Sequence, residues 1–282
     1  MPRVLKLTLA IYMEYSHYSE GSVPVALLDR AARAISDYSI SLSIDNGSWG
    51  SGTLVCFEQY YGILTAAHVV SALERRKDKM IAIVCADHLH RLLLSREHID
   101  IVRLDTLGEE SQGPDLAFIA ILDQDCVGTL KAKKSFYPIK RTSALTFEEY
   151  MPIESRLCFI FGAPAELATE TGERGTPEHV LNSIHFAARA QLIGEFSNAG
   201  YNFLEFGLYA GEHGFQSKYG GISGGGVWHI PLTMNPDVGL ESVDFESPEL
   251  VGVVFYQRPA DLGCVLIAQS YTSFPALFAK YG

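Results

Sequence analysis

The chain has 282 residues, 48% of them hydrophobic and 20% charged, a make-up that can bury a real core and excludes disorder as its main character. Lys and Arg number 22 against 33 Asp and Glu, for a net charge of −11. A surface that acidic repels nucleic-acid backbones and anionic membranes. No apolar run approaches the roughly 18 residues that span a bilayer, so neither nucleic acid nor membrane is expected as a partner.

At the N-terminus Arg3 and Lys6 precede a short apolar stretch, Leu7 to Met13, in the outline of an export signal. Glu14 follows at once, and no small-x-small cleavage site comes after it. Leu5, Leu7, Leu9, Ile11 and Met13 alternate on one face, which reads better as a retained, half-buried strand. Leu27, Ala31 and Ile35 then fall at i, i+4 and i+8 behind Pro24, marking a short helix. It is the only strong helical pattern before the C-terminus.

From about residue 38 the texture changes to short strands between glycine, proline and polar turns. YSISLSI, GTLVCFE, YGILTAA, KMIAIVC, IDIVRL and DLAFIAIL follow one another at the spacing of an all-β barrel or sandwich. The more polar stretch Asp123 to Ser155, with Lys131, Lys133, Lys134, Lys140, Arg141, Glu148 and Glu149, reads as a connection. A second series follows: RLCFIFG, HVLNSIHFAARAQLIG, YNFLEFGLY, GGVWHI and LVGVVFY. SYTSFPALFAKYG closes the chain as a short terminal helix, and no appended domain is expected. The chain divides into an N-terminal extension (1–38), a first β unit (39–125), a connection (126–155) and a second β unit with its helix (156–282).

Cys56, Cys85, Cys126, Cys158 and Cys264 are odd in number and scattered, with no C-x-x-C pair. That spacing supports neither a zinc site nor a disulfide framework. Reduced structural thiols fit better, and with them a cytoplasmic compartment. No metal or organic cofactor is implied.

Three segments carry chemistry. The first is Gly62-Ile-Leu-Thr65-Ala66-Ala67-His68-Val-Val, preceded by Gly52-Thr-Leu-Val. The second is Gly113-Pro114-Asp115-Leu-Ala-Phe-Ile-Ala-Ile, and the third is Gly220-Gly221-Ile222-Ser223-Gly224-Gly225-Gly226-Val-Trp. Together they resemble the trypsin-like (chymotrypsin-fold) serine peptidases, with T-A-A-H at the histidine, D-[IL]-A at the aspartate and G-x-S-G-G at the serine. The order His68, Asp115, Ser223 is the one that arrangement requires. The resemblance implies two six-stranded antiparallel β-barrels, with the N-terminal strand–helix extension and the short C-terminal helix added to them.

Competing readings of G-x-S-x-G fail on order. An α/β-hydrolase needs its acid and then its histidine after the serine, and the only later histidine is His229, ahead of every later aspartate. A subtilisin-like order would use Asp45 before His68, but no alternating α/β pattern hosts it. Asp105 and Asp100 are the fallback acids.

The resemblance gives each residue a role. His68 takes the Ser223 proton and later returns it to the leaving amine, while Asp115 holds the imidazole tautomer. The backbone N–H groups of Gly221 and Ser223 form the oxyanion hole. Ser217 lies where the family's primary pocket is floored. Phe255, Tyr256 and Gln257 lie on the substrate-pairing strand, with Gln257 where glycine is usual. A small or polar side chain before the scissile bond follows, with His213 as a possible reader of glutamate.

Two positions depart from the secreted branch of that family. Ile222 replaces the aspartate that captures a new N-terminus on zymogen activation, and Val69 replaces a disulfide cysteine. Both point to the prokaryotic or intracellular branch. The expected function is a serine endopeptidase acting on a protein or peptide substrate. The alternatives are a catalytically silent peptide-binding module, or an effector whose loops are ordered by an activating or regulatory protein partner.

Overall fold

The stripe of Leu27, Ala31 and Ile35 forms helix α1 (Val25–Ser36), and all three side chains are buried. Burial of a Leu or Ile side chain stabilises by about 1.5–3 kcal/mol, which holds this short helix in place. The computed structural model describes residues 25–44, 48–74, 80–85, 91–105, 113–139, 157–164, 169–171, 180–182, 185–209, 220–233, 244–245, 247–260 and 263–281. The strand expected over residues 5–13 lies outside them.

After α1 come β1 (Ser39–Ile44), β2 (Ser48–Phe57), β3 (Tyr60–Thr65), helix α2 (Ala67–Glu74), β4 (Met80–Cys85), β5 (Arg91–Ser95), β6 (Ile99–Asp105) and β7 (Asp115–Ile121). Helix α3 (Gln124–Lys131) and the two-residue β8 (Tyr137–Pro138) follow. The strands make one sheet in the order β5-β4-β1-β2-β3-β7-β6, with β8 paired parallel to β2.

This first sheet is open, which corrects the expectation of two barrels. Its ends are β5 and β6, and no ladder joins them among the described residues. Between them the chain makes a 3-10 turn, Arg96–His98, and the Arg96 guanidinium donates to the Ile99 carbonyl at 2.9 Å. The turn carries the chain round the corner where a barrel would need a paired, staggered seam.

The second unit does close. Its strands are β9 (Leu157–Gly162), β12 (Phe186–Asn198), β13 (Tyr201–Tyr209), β14 (Gly226–Ile230), β17 (Glu249–Ala260) and β18 (Gly263–Ser270). They form a six-stranded barrel in the order β12-β13-β18-β17-β14-β9. Two small ribbons stand off it, β10 (Thr169–Thr171) with β11 (Val180–Asn182), and β15 (Leu232–Thr233) with β16 (Asp244–Phe245). The chain ends in α4 (Phe274–Phe278), flanked by 3-10 turns.

Beside the short ribbons and β8, three longer elements were not anticipated. Helix α2 hides in GILTAAHVV, a continuous apolar run that does not distinguish strand from buried helix. Helix α3 sits in the polar connection, where the Asp123 carboxylate caps it by accepting from the Asp125 and Cys126 N–H groups. Strand β5 is only five residues long and has no clean alternation. Lys134, just past α3, is buried and donates its ammonium to the Ser36 carbonyl at 3.1 Å. That contact ties the connection to the C-terminal end of α1.

Open sheet and barrel share a core. One cluster joins α1 (Leu28, Ile35), the sheet (Phe57, Phe118), the barrel (Phe159, Trp228) and α4 (Leu277, Phe278). The C-terminal segment therefore straps the barrel to the sheet. Phe278 stacks on Phe57 with centroids 4.5 Å apart, and Asp100 on β6 accepts from Lys280 Nζ at 2.7 Å and Tyr281 Oη at 2.9 Å. The Lys280 hydrogen bond is the largest influence holding the Asp100 carboxyl below its ordinary range.

A depressed folded value means this contact stabilises above the unfolded carboxyl range, about pH 4, and is lost as pH falls through the folded value. Acidification is therefore expected to release residues 271–281 before the barrel opens. Limited proteolysis between pH 5 and 2 measures this, and Asp100→Asn should remove the acid sensitivity of that step.

Candidate active site

Register brings the first two residues together. β3 runs antiparallel to β7 with Thr65 opposite Ala117. Beyond that pair, Asp115, two residues before Ala117 at the start of β7, faces the first turn of α2, which carries His68, three residues after Thr65. The Asp115 carboxylate contacts His68 twice. Its Oδ1 accepts the His68 backbone N–H at 2.9 Å, and its Oδ2 lies 2.5 Å from Nδ1 of the ring.

The first contact satisfies an orphan donor of the helix's first turn with an anion, which the helix dipole favours. The second orients the ring. Asp115 is 6% exposed at its side chain and His68 30%, so the acid is shielded and the imidazole open to a ligand. Gly113, two residues before the acid, has φ +53°, and a Cβ there would run into the Phe203 ring on the barrel. The Asp115 turn is thus set tight between sheet and barrel.

The serine lies in a glycine-walled turn before β14. Gly221 and Gly224 have φ of +88° and +89°, in the left-handed region that favours glycine. A Cβ on Gly224 would meet the Ser51 carbonyl and Thr65 Oγ1, and one on Gly225 would meet the carbonyls of Phe161 and Ile222. Gly224 N–H donates to Val254 O at 2.7 Å and Gly225 N–H to Ile222 O at 2.8 Å. Ile222 is buried in the barrel core beside Ile160 and Val254.

Ser223 is half-buried, with Oγ 3.5 Å from the Phe255 carbonyl, at the outer limit of a hydrogen bond. Its own carbonyl accepts from Ser51 N–H at 2.8 Å, and Ser51 O in turn accepts from Thr65 Oγ1 at 2.7 Å. Thr65 is three residues before His68, so the serine turn is bonded to the strand that delivers the histidine. No acceptor takes the N–H of Gly221 or Ser223 among the described residues. Unclaimed amides beside a serine are donors of the kind that can hold an oxyanion.

The other candidates separate. Phe255 reaches the site through its backbone carbonyl, while its ring is buried against Phe203. Tyr256 is half-buried and packs on the core under the His68 sheet, and Gln257 is half-buried on the same strand. Ser217, His213 and Asp45 lie outside the described residues. Asp100 is engaged by Lys280 and Tyr281, and Asp105 sits opposite Asp115 in the β6–β7 ladder. His229 is buried in the barrel with Nδ1 3.0 Å from Glu249 Oε2.

Thiol chemistry finds no support in the cysteines with shifted values. Burial is the main cause that pushes both Cys126 and Cys264 up to about 11, leaving little thiolate at neutral pH. Among the described residues no group of three His, Cys, Asp or Glu is placed to hold a metal, and no helix is long and apolar enough to cross a membrane.

Ser51 and the Thr65 hydroxyl are the site residues that sequence reasoning missed. The signal was slight: a serine between Gly50 and Gly52 in a strand, whose importance comes from partners far along the chain.

No protein-family model and no curated protein matches the chain. It is similar in structure to the inactive form of the Rv3671c protease from M. tuberculosis, with 13% identity over 93% of this chain and 98% of that one, at a TM-score of 0.48. Deg5 is similar at 13% identity over 91% and 94%, with a TM-score of 0.48. The HtrA-type protease AlgW with a tripeptide is similar at 15% identity over 86% of this chain and 60% of that one, with a TM-score of 0.46.

Proposed function

We propose that the chain is a serine endopeptidase in which Ser223 is the nucleophile, His68 the general base and Asp115 its orienting acid. The observation that carries this reading is the double contact of Asp115 with the His68 backbone and ring. It is supported by the bonding of the Ser223 turn, through Ser51 and Thr65, to the strand that leads into the His68 helix.

Ionised Asp115 only accepts hydrogen bonds, so Nδ1 of His68 carries the proton and Nε2 keeps its lone pair. Nε2 takes the hydroxyl proton as Ser223 Oγ bonds to the scissile carbonyl carbon, and the amides of Gly221 and Ser223 receive the oxyanion. The imidazolium then protonates the leaving nitrogen as the C–N bond breaks. Water, deprotonated by the same imidazole, hydrolyses the acyl-enzyme and restores the serine.

A fluorescent fluorophosphonate tests the proposal. The native chain is expected to label covalently, and Ser223→Ala and His68→Ala to remain unlabelled while keeping native circular dichroism. Equal labelling of native chain and Ser223→Ala would sink the assignment.

A second reading has its own observation: the Ser223 hydroxyl is directed to the Phe255 carbonyl. In that reading a regulatory protein or the substrate completes the site. A folded native chain that stays unlabelled alone and labels only with a partner present would favour it.

A further inference from the structure

Every polar group of Ser51 is committed to a different part of the site. Its N–H donates to the Ser223 carbonyl at 2.8 Å. Its carbonyl accepts from Thr65 Oγ1 at 2.7 Å. Its hydroxyl accepts from Ala163 N–H at 2.8 Å and donates to the Gly221 carbonyl at 2.8 Å. Ser51 is fully buried, in a sheet strand, yet three of these four bonds reach the barrel side of the molecule.

We infer that Ser51 is the positioning residue of the nucleophile turn, gripping it at the carbonyls of Gly221 and Ser223 so that the amides of those residues are preset for the oxyanion. The inference deepens the peptidase reading and rests on it for its kinetic consequence. The two gripped carbonyls bracket Ile222, whose side chain is plugged into the barrel core. A hydroxyl clamp and an apolar plug thus hold the segment.

The direction of the hydroxyl proton follows from its neighbours. Ala163 N–H can only donate, so the Ser51 oxygen accepts there, and its single proton is left for the Gly221 carbonyl. Removing the hydroxyl frees the Gly221 carbonyl and with it the peptide joining Gly221 to Ile222. It leaves the Ser51 backbone bonds to Ser223 and Thr65 in place. A shift of about 1 Å in such a turn is enough to cost on the order of 10²-fold in rate.

The test compares the native full chain with Ser51→Ala by two measurements. In fluorophosphonate kinetics, kinact is expected to fall roughly tenfold to a hundredfold with KI unchanged. In amide hydrogen exchange, residues 220–225 should exchange faster while β12 and β13 keep their protection. Unchanged kinact and exchange would overturn the inference. So would a uniform loss of protection across the barrel with kinact per folded molecule unchanged, since Ser51 would then be a packing residue only. A native chain that never labels defeats the peptidase reading, and the exchange measurement alone then decides the clamp: local acceleration supports it, and none overturns it.

Discussion

Asp115→Asn is expected to lower the labelling rate of Ser223 by roughly 10⁴-fold while the chain stays folded. The size follows from the two contacts at that carboxylate. The atom facing the His68 backbone N–H must accept, so an asparagine would put Oδ1 there. Its amide nitrogen, which only donates, would then face Nδ1. That geometry forces the proton of the neutral ring onto Nε2 and leaves no base toward the serine.

The backbone bond survives the change, so helix α2 keeps its first-turn acceptor and stability should move little. Fluorophosphonate kinetics with a thermal melt separates the two effects. Asp100→Asn serves as the control at neutral pH, because its partners are Lys280 and Tyr281. An Asp115→Asn chain that labels at the native rate would remove Asp115 from the reaction.

Ile222→Asp should be the most damaging change to the turn that carries the serine. Ile222 is 1% exposed among barrel aliphatics, and a Cβ on neighbouring Gly162 would press on its Cγ1. A carboxylate there has no cation among the side chains of that cluster. Leaving a buried charge unpaired costs roughly 3–5 kcal/mol. Urea unfolding at pH 7 should show a loss of that size, with labelling lost as well.

The pH dependence has a definite sign. Burial raises the folded-state value of the new carboxyl above its unfolded value near 3.9. The variant should be least impaired below about pH 4, where both states are protonated, and should lose ground as pH rises toward the folded value. A stability deficit flat between pH 4 and 7 would mean that the side chain escapes to water, and that Ile222 is no plug.

The site and the strands were legible to different depths. His68, Asp115 and Ser223 sit in short local patterns that resemble those of trypsin-like peptidases: small residues before the histidine, an acid at a strand start and glycines around the serine. All of these are nearest-neighbour properties. The strands were legible through alternation, and the stripe of Leu27, Ala31 and Ile35 announced α1 for the same reason. Helices α2 and α3 were not, since the apolar run around His68 has no clear period and α3 is marked chiefly by its Asp123 cap.

Closure of the first sheet was beyond any pattern. The strands β5 and β6 are separated by a 3-10 turn of three residues, and whether two edges meet depends on twist and stagger accumulated over the whole sheet. The second unit closes because β9 pairs with both β12 and β14, and β14 lies far along the chain from β9.

Composition, alternation and motif resemblance therefore point for this chain to a largely β body, an acidic surface and three candidate reacting groups. Tertiary structure alone decides that one unit is an open sheet, that Phe255 offers a carbonyl and hides its ring, and that Ser51 grips the serine turn. The Ser51 contacts bridge 170 and 112 residues of chain. Hydrogen bonds over such separations depend on where folding brings each backbone group, and no local run of side chains encodes that.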